Sequence, residues 1–532
     1  MVFRLRQLRQ LRQPRHGRAL GAAACAGLAT LAITATTAPA GADTATLPVP
    51  LSGAPLGLNT APWDYVYAAN VSAGGGVDVI QPLLKAASID QLRYGGGSYA
   101  DYYDWQTNTN IQNCLPDNAT ASFTSSCSSG DSLDFAQFSQ QARAIGAQSF
   151  VTVNYGSGTP SLAAQWVAQA KATSGQGVAL WEVGNENYGC WEVNNELAGP
   201  PENFAGYTPN TYTVVNGVYE NPTCPQTIQG NAAGTQTLAT SYAVNAKQFL
   251  QAMKAADPSA RIGVPWAFSG EVPGASVPDN AEWNSTVLGT DGRYVSFVDA
   301  HYYPFFFGGS TGGSNPTDQQ VLQALQQVPS LYGEIRTTLN AYDPKADVVV
   351  GETGVSNNET TTVCTPAGAL FAAGDVLSWL AAGARSVDWW DMNNYGNTTA
   401  SCTGSDYGLF TSSSPPVAET PYYGYVLASV LAQPHAVLGS IPTSDAADVL
   451  AYESVLPNGR HAVAFINTNT SAAQTVTFRP YAGLFGTLNT WSYSAGNQNA
   501  ANSNIVTGTT SAGSVANGIT LPAESMTILE TR

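Results

Sequence analysis

Between residues 56 and 430 the chain repeats one pattern eight times: a short apolar run, then a longer segment. The apolar runs are 56–63, 88–96, 149–156, 178–186, 261–268, 296–305, 346–354 and 386–396. Among the segments between and after them, 134–144, 161–172, 238–256, 318–342, 367–382 and 421–432 carry apolar residues at helical spacing. Strands that alternate with helices must run parallel, and a parallel sheet is buried on both faces, so its strands read as near-continuous apolar runs. Eight strand–helix units predict an α/β fold, a closed (β/α)8 TIM barrel.

After residue 434 the pattern changes. ADVLAYESVL, HAVAFINTN, AQTVTFRPY and ITLPAESMTILETR alternate apolar and polar residues between Asn, Gly and Pro, with no helix-length segment among them. They predict a C-terminal antiparallel β-sandwich over 434–532, with an edge strand from 43–52. The Ser/Asn/Thr-rich run 494–516 reads as a surface loop. The barrel is assigned to 43–433. Residues 1–42 hold six arginines, an apolar run from Ala19 and small residues at Ala38, Ala40 and Ala42, the form of a secretory signal peptide. A secreted, extracellular protein is expected.

Beyond that leader the chain carries 14 Lys/Arg against 37 Asp/Glu, a balance of −23. Such a field repels nucleic acid and anionic membranes, so neither is expected as a partner. Six cysteines remain: Cys114, Cys127, Cys190, Cys224, Cys364 and Cys402. An even count in a secreted chain favours disulfides. The pairing is open, and nearest neighbours (114–127, 190–224, 364–402) would each staple a long connection. No CxxC or HExxH spacing occurs, so no metal centre and no cofactor is expected. Oligomeric state is not legible.

Two of the apolar runs end in a carboxylate. WEVGNEN places Glu186 after Gly184 and Asn185, and VVVGETG places Glu352 after Gly351. Active sites of these barrels lie at the C-terminal ends of the strands, and paired carboxylates there are what glycoside hydrolysis needs. Asn185 is placed to bond a sugar hydroxyl. Further candidates for substrate contact are Asn59, Asn154, His301, Tyr302, Tyr303 and Trp390, each with a plainer reading as loop cap or core. Trp389 and Trp390 alternate, so one of the two faces inward; Trp266 is platform or core. Glu182 shares parity with Glu186 but lies deeper, where it would pair with an internal cation such as Arg93. Glu192 and Glu196 read as solvated loop residues.

GlyAsnGlu at the fourth strand and GlyGlu at the seventh resemble clan A of the glycoside hydrolases, together with Arg93 in LRYGGG and the HisTyrTyr at 301–303. The resemblance implies Glu186 as acid/base, Glu352 as nucleophile and net retention. It also implies Asn185 at the substrate 2-hydroxyl, Arg93 close to the nucleophile, and Tyr302 or Tyr303 bonded to Glu352. RYGGGSYADYYDW resembles the α-L-arabinofuranosidases, whereas WEVGNEN and GETG are equally similar to the β-glucuronidase and heparanase family. The few basic residues tip the expectation to a neutral sugar, released from plant cell-wall-type polysaccharide or oligosaccharide. The alternatives are a β-glucuronidase/heparanase-like exo-glycosidase or a non-catalytic carbohydrate-binding protein.

Overall fold

Each of the eight apolar runs forms a strand: β1 (Leu56–Thr60), β2 (Gln91–Tyr94), β3 (Gln148–Val153), β4 (Leu180–Val183), β5 (Ile262–Trp266), β6 (Phe297–Tyr302), β7 (Asp347–Thr353) and β8 (Ser386–Trp389). All pair in parallel with their sequence neighbours, and β8 returns to β1, so the barrel is closed. This is a computed structural model, and it describes residues 48–64, 80–110, 131–189, 192, 213–215, 218–220, 227–229, 235–268, 280–305, 316–356, 360–393, 402, 408–413, 415–480, 484–494 and 505–532. The leader and Cys114, Cys127, Cys190 and Cys224 lie outside the described residues. Cys364 and Cys402 are bonded, with Cα atoms 5.6 Å apart.

Nine helices are described around the strands: α1 (Ile80–Ala86), α2 (Phe135–Ile145), α3 (Pro160–Ala172), α4 (Leu238–Ala256), α5 (Asn280–Asp291), α6 (Asp318–Ala324), α7 (Val328–Tyr342), α8 (Pro366–Ala382) and α9 (Thr420–Ala428). Local chemistry sets their ends. Asp134 and Gln137 form a reciprocal capping box on α2, and left-handed Gly146 closes it. The single helix expected over 318–342 is instead two, joined by the 3₁₀ turn Leu325–Gln327. Pro329 has no N–H to bond backward, so it fits the first turn of α7 but not the interior of one long helix. Among the described residues, no helix is long and apolar enough to cross a membrane.

The C-terminal region forms a seven-stranded antiparallel sheet. It uses β9 (Val437–Ser440), β10 (Val449–Val455), β11 (His461–Asn467), β13 (Thr487–Ser494), β14 (Val506–Ser511) and β16 (Ser525–Thr531). Val49–Pro50 adds the edge strand beside β9. A separate pair, β12 (Gln474–Val476) and β15 (Ile519–Leu521), lies against it. Alternation divides the sheet: Ala451, Val463, Phe465 and Leu529 face the second layer, while Tyr452, Ala464, Ile466 and Ile528 join the barrel's core. Part of the 494–516 run is therefore strand, not loop. Its Thr507, Thr509 and Ser511 pair with β13 at a solvated edge, where polar β-formers suffice.

Helix α8 lies between the barrel and this sheet, and all of its residues except Pro366 and Ala382 are buried. Ser378 Oγ and Tyr452 OH are 2.6 Å apart across the joint. On its other side α9 packs closely: a Cβ at Gly424 would stand 2.2 Å from the Ala369 carbonyl oxygen. Gly424→Ala must push α9 off α8, and we expect a loss of about 1–3 kcal/mol, read as a lower melting temperature. Gly333, inside α7, faces open space: a Cβ added there would meet nothing within 4 Å. Gly333→Ala should stabilise by about 0.5–1 kcal/mol in the same assay; equal shifts for the two substitutions would contradict this packing.

Candidate active site

The barrel interior holds buried polar as well as apolar side chains: Gln91 at the start of β2 donates to Ser386 at the start of β8 and to Asp388. Phe150, Leu180, Phe297 and Val349 form a buried plug. Towards the C-terminal ends of the strands, Arg93, Glu182 and Asp299 replace it, all at most 1% exposed. Arg93 Nη1 donates to Glu352 Oε1 at 2.7 Å and Asn59 Oδ1 at 3.0 Å; Nη2 donates to Glu182 Oε2 at 2.8 Å and Asn185 Oδ1 at 2.9 Å. Its Nε lies 3.6 Å from Asp299 Oδ2. Burial opposes the charge, but Glu182, Glu352 and Asp299 outweigh it and raise the Arg93 pKa further. Glu182 is pushed up to about 8 by burial and by Asp299, against the pull of Arg93.

Glu352 reaches the site through a bulge. The β6–β7 register runs Ala300 against Val350, then His301 against Glu352, so Gly351 is the extra residue. Its N–H donates to Asp299 Oδ1 at 2.6 Å, and its carbonyl accepts from Asn59 Nδ2 at 2.7 Å. No side chain fits there, since a Cβ would meet Asp299 Oδ2 at 2.2 Å. Beyond the bulge Glu352 turns inward, where Tyr303 OH donates to its Oε2 at 2.9 Å. Burial raises the Glu352 pKa, while His301 and Arg93 oppose the shift.

Glu186 stands at the end of β4 with φ 46, a left-handed conformation that costs a non-glycine residue about 1–2 kcal/mol. Gly189 N holds its carbonyl at 2.6 Å. His301 Nδ1 lies 2.8 Å from Glu186 Oε1 and 3.5 Å from Glu352 Oε2, while its Nε2 faces Asp299 Oδ2 at 3.4 Å. Burial alone would lower the His301 pKa; Glu352, Asp299 and Glu186 together raise it well above the usual value, giving an imidazolium. One carboxylate oxygen of Glu186, one of Glu352 and a ring nitrogen of His301 all lie within 4.8 Å of one another. Glu186 is the more open acid, its side chain 18% exposed against 7% for Glu352.

Several expected substrate contacts are engaged elsewhere. Tyr302 points away from the barrel interior and donates to the Ala324 carbonyl at 3.0 Å, so Tyr303 is the tyrosine on Glu352. Asn154 closes its own loop: Oδ1 accepts from the N–H groups of Ser157 and Gly158, and Nδ2 donates to the Tyr103 carbonyl and Ser157 Oγ. Asn59 braces Arg93 and Gly351 and is fully buried. Arg93 likewise spends its terminal donors on protein groups rather than on a sugar. Trp389 packs in the core against Phe371 and Tyr425. Trp390 is half-buried over Gly97, where a Cβ would stand 2.8 Å from Trp390 Cη2 and 3.5 Å from Glu352 Oε1. Trp266 is buried.

Three site residues escaped the sequence reading. Asp299 is two before His301 on β6, so strand parity could have found it. Asp101 is fully buried and accepts from the N–H groups of Tyr155, Gly156 and Asn185 and from Asn187 Nδ2. Burial pushes it up to about 7. Glu192, expected on a solvated surface, is 2% exposed and bonds Ser98 and Asn185. Local sequence does not reveal this burial.

No protein-family model and no curated protein matches the chain. Solved structures do. An α-L-arabinofuranosidase from Thermotoga maritima, in complex with arabinose, is 15% identical with a TM-score of 0.62, over 92% of this chain and 98% of that one. A family 51 arabinofuranosidase from Xanthomonas axonopodis pv. citri is 16% identical at 0.61, over 91% and 97%. A family 44 xyloglucanase from Paenibacillus polymyxa is 12% identical at 0.57, over 91% and 97%. The chain thus has the barrel-and-sandwich fold found in α-L-arabinofuranosidases of clan A.

Proposed function

We propose that this chain is a secreted retaining glycoside hydrolase that releases L-arabinofuranose from plant cell-wall-type polysaccharide or oligosaccharide. Glu352 is the nucleophile and Glu186 the acid/base. One observation carries the reading: oxygens of the two carboxylates lie within 4.8 Å at one barrel mouth. Retaining enzymes hold their carboxyl groups about 5–5.5 Å apart, whereas inverting ones leave about 6.5–9.5 Å for a water. In the first step a Glu352 oxygen bonds to the anomeric carbon as the glycosidic C–O bond breaks. Glu186 gives its proton to the departing oxygen. In the second step Glu186 takes a proton from water, which attacks the same carbon and frees Glu352. Arg93, Tyr303 and His301 hold Glu352 in place; the more open Glu186 meets leaving group and water. The Asn185 amide serves the sugar 2-hydroxyl, and Trp390 offers a face for stacking.

The choice of sugar rests on the RYGGGSYADYYDW resemblance and on the fold shared with arabinofuranosidases. A uronate reading is disfavoured by the cations. Arg93 is committed to Glu352, Glu182, Asn59 and Asn185, and Arg385 pairs with Asp347 at the start of β7. Recognition of a sugar carboxylate calls for a free Arg or Lys. Nitrophenyl glycosides test this: the arabinofuranoside should turn over fastest among arabinofuranoside, xyloside, galactoside and glucuronide. Turnover of none would leave only a binding role.

The two glutamates should separate kinetically. Glu352→Ala removes the covalent step and should cut kcat by about 10⁴-fold or more on every substrate. Azide should restore turnover with inverted configuration, since it enters from the vacated side. Glu186→Ala should keep glycosylation with dinitrophenolate, which needs no proton, and azide should then give a retained product. The reverse pattern would exchange the assignments.

The pH dependence follows from His301. Because its charge lowers the Glu352 pKa against burial, His301→Asn should raise that pKa. The acidic limb of kcat/KM should therefore move to higher pH as kcat falls. An unmoved limb, or one shifted down, would remove His301 from this role.

A further inference from the structure

The Asn185 carboxamide is clamped from both ends. Its Oδ1 faces Arg93 Nη2 at 2.9 Å, and a guanidinium can only donate, so the amide oxygen must be on that side. The amide nitrogen then faces Glu192 Oε1 at 3.2 Å. Glu192 comes back to this point through two turns after the acid/base: Gly189 N bonds the Glu186 carbonyl at 2.6 Å, and Glu192 N bonds the Gly189 carbonyl at 3.3 Å. The same Oε1 accepts from Ser98 Oγ at 2.6 Å, in the turn after the glycines that carry Trp390 and border Glu352. Glu192 therefore joins the loop after β2 to the loop after β4, at 2% exposure.

We propose that Glu192 is a positioning residue that acts through Asn185, orienting the amide so that its second N–H serves the sugar 2-hydroxyl. This rests on the glycosidase reading above. The –NH2 group has two hydrogens, and Glu192 takes one, which fixes the direction of the other. Burial, with Asp101 and Glu186 nearby, pushes the Glu192 carboxyl well above the ordinary glutamate range. In either protonation state an oxygen remains to accept from Asn185. The bond to the 2-hydroxyl strengthens in the oxocarbenium-like transition state, so misorientation should lower kcat more than it raises KM.

The test uses the full secreted chain and the nitrophenyl glycoside it hydrolyses fastest. Glu192→Leu should lower kcat about tenfold. Glu192→Gln, which keeps an acceptor, should stay within about threefold of the parent. Ser98→Ala, at an exposed position, loosens Glu192 without altering the buried residue and should lower kcat in the same direction. In an Asn185→Ala background all three changes should lose their effect, because the amide they orient is gone. Undiminished losses in that background would overturn the proposal, as would equal losses for Leu and Gln. Hydrolysis of no glycoside by the parent protein would instead sink the glycosidase reading itself.

Discussion

The interaction on which the rest of the site depends is the burial of Arg93. A guanidinium removed from water costs several kcal/mol unless its donors are matched. Here two carboxylates and two amide oxygens accept from its terminal nitrogens, and Asp299 lies beside Nε. A lysine could not substitute, because its single nitrogen cannot span Glu182 and Glu352 on different strands. The dependence runs both ways. Without the guanidinium, Glu182, Asp299 and Glu352 would be buried together with His301, among the described residues, to balance them. Asn59 and Asn185, both buried, take the remaining donors, so the cation fixes the amide beside Glu186 as well as Glu352.

Gly351 converts that electrostatic centre into a directed carboxylate. In a regular strand successive side chains alternate, so a residue after inward-facing Gly351 would point outward. The bulge breaks the alternation and sends Glu352 into the barrel mouth. Asp299 and Asn59 hold the bulged peptide from its two polar ends, which ties the backbone leading into Glu352 to the network that binds its side chain. A hydroxyl from Tyr303 and a guanidinium from Arg93 then take one oxygen each.

How much of this was legible follows from the same periodicities. The eight apolar runs, the two terminal carboxylates and the pairing of Glu182 with Arg93 are all local or parity signals, and all are present in the structure. Parity from His301 also selects Tyr303 over Tyr302, which leaves Tyr302 to the helix layer. Asn154 carries two readings in the sequence because a polar residue at a strand end closes a turn as readily as it binds a ligand, and tertiary geometry shows it closing the turn. Glu192 and Asp101 were illegible for a different reason. Each lies in a connection between strands, and no short-range pattern encodes where such a residue ends up. The strand Val506–Ser511 hid in a polar run because an exposed edge needs no apolar face.

On the proposed function, the charges also bear on which sugars would suit the mouth. Arg93 and His301 are the cations among the described groups lining it; Glu182, Asp299, Glu352, Glu186, Asp101 and Glu192 are the acids. Burial pushes Glu182 up to about 8 and Asp101 up to about 7. Glu192 is raised too. These acids and the two cations face one another in a buried space, where charge interactions are stronger than in water. On the proposed function, Arg93 and His301 are both held by protein carboxylates, so the pairing that fixes Glu352 leaves neither cation for a sugar carboxylate.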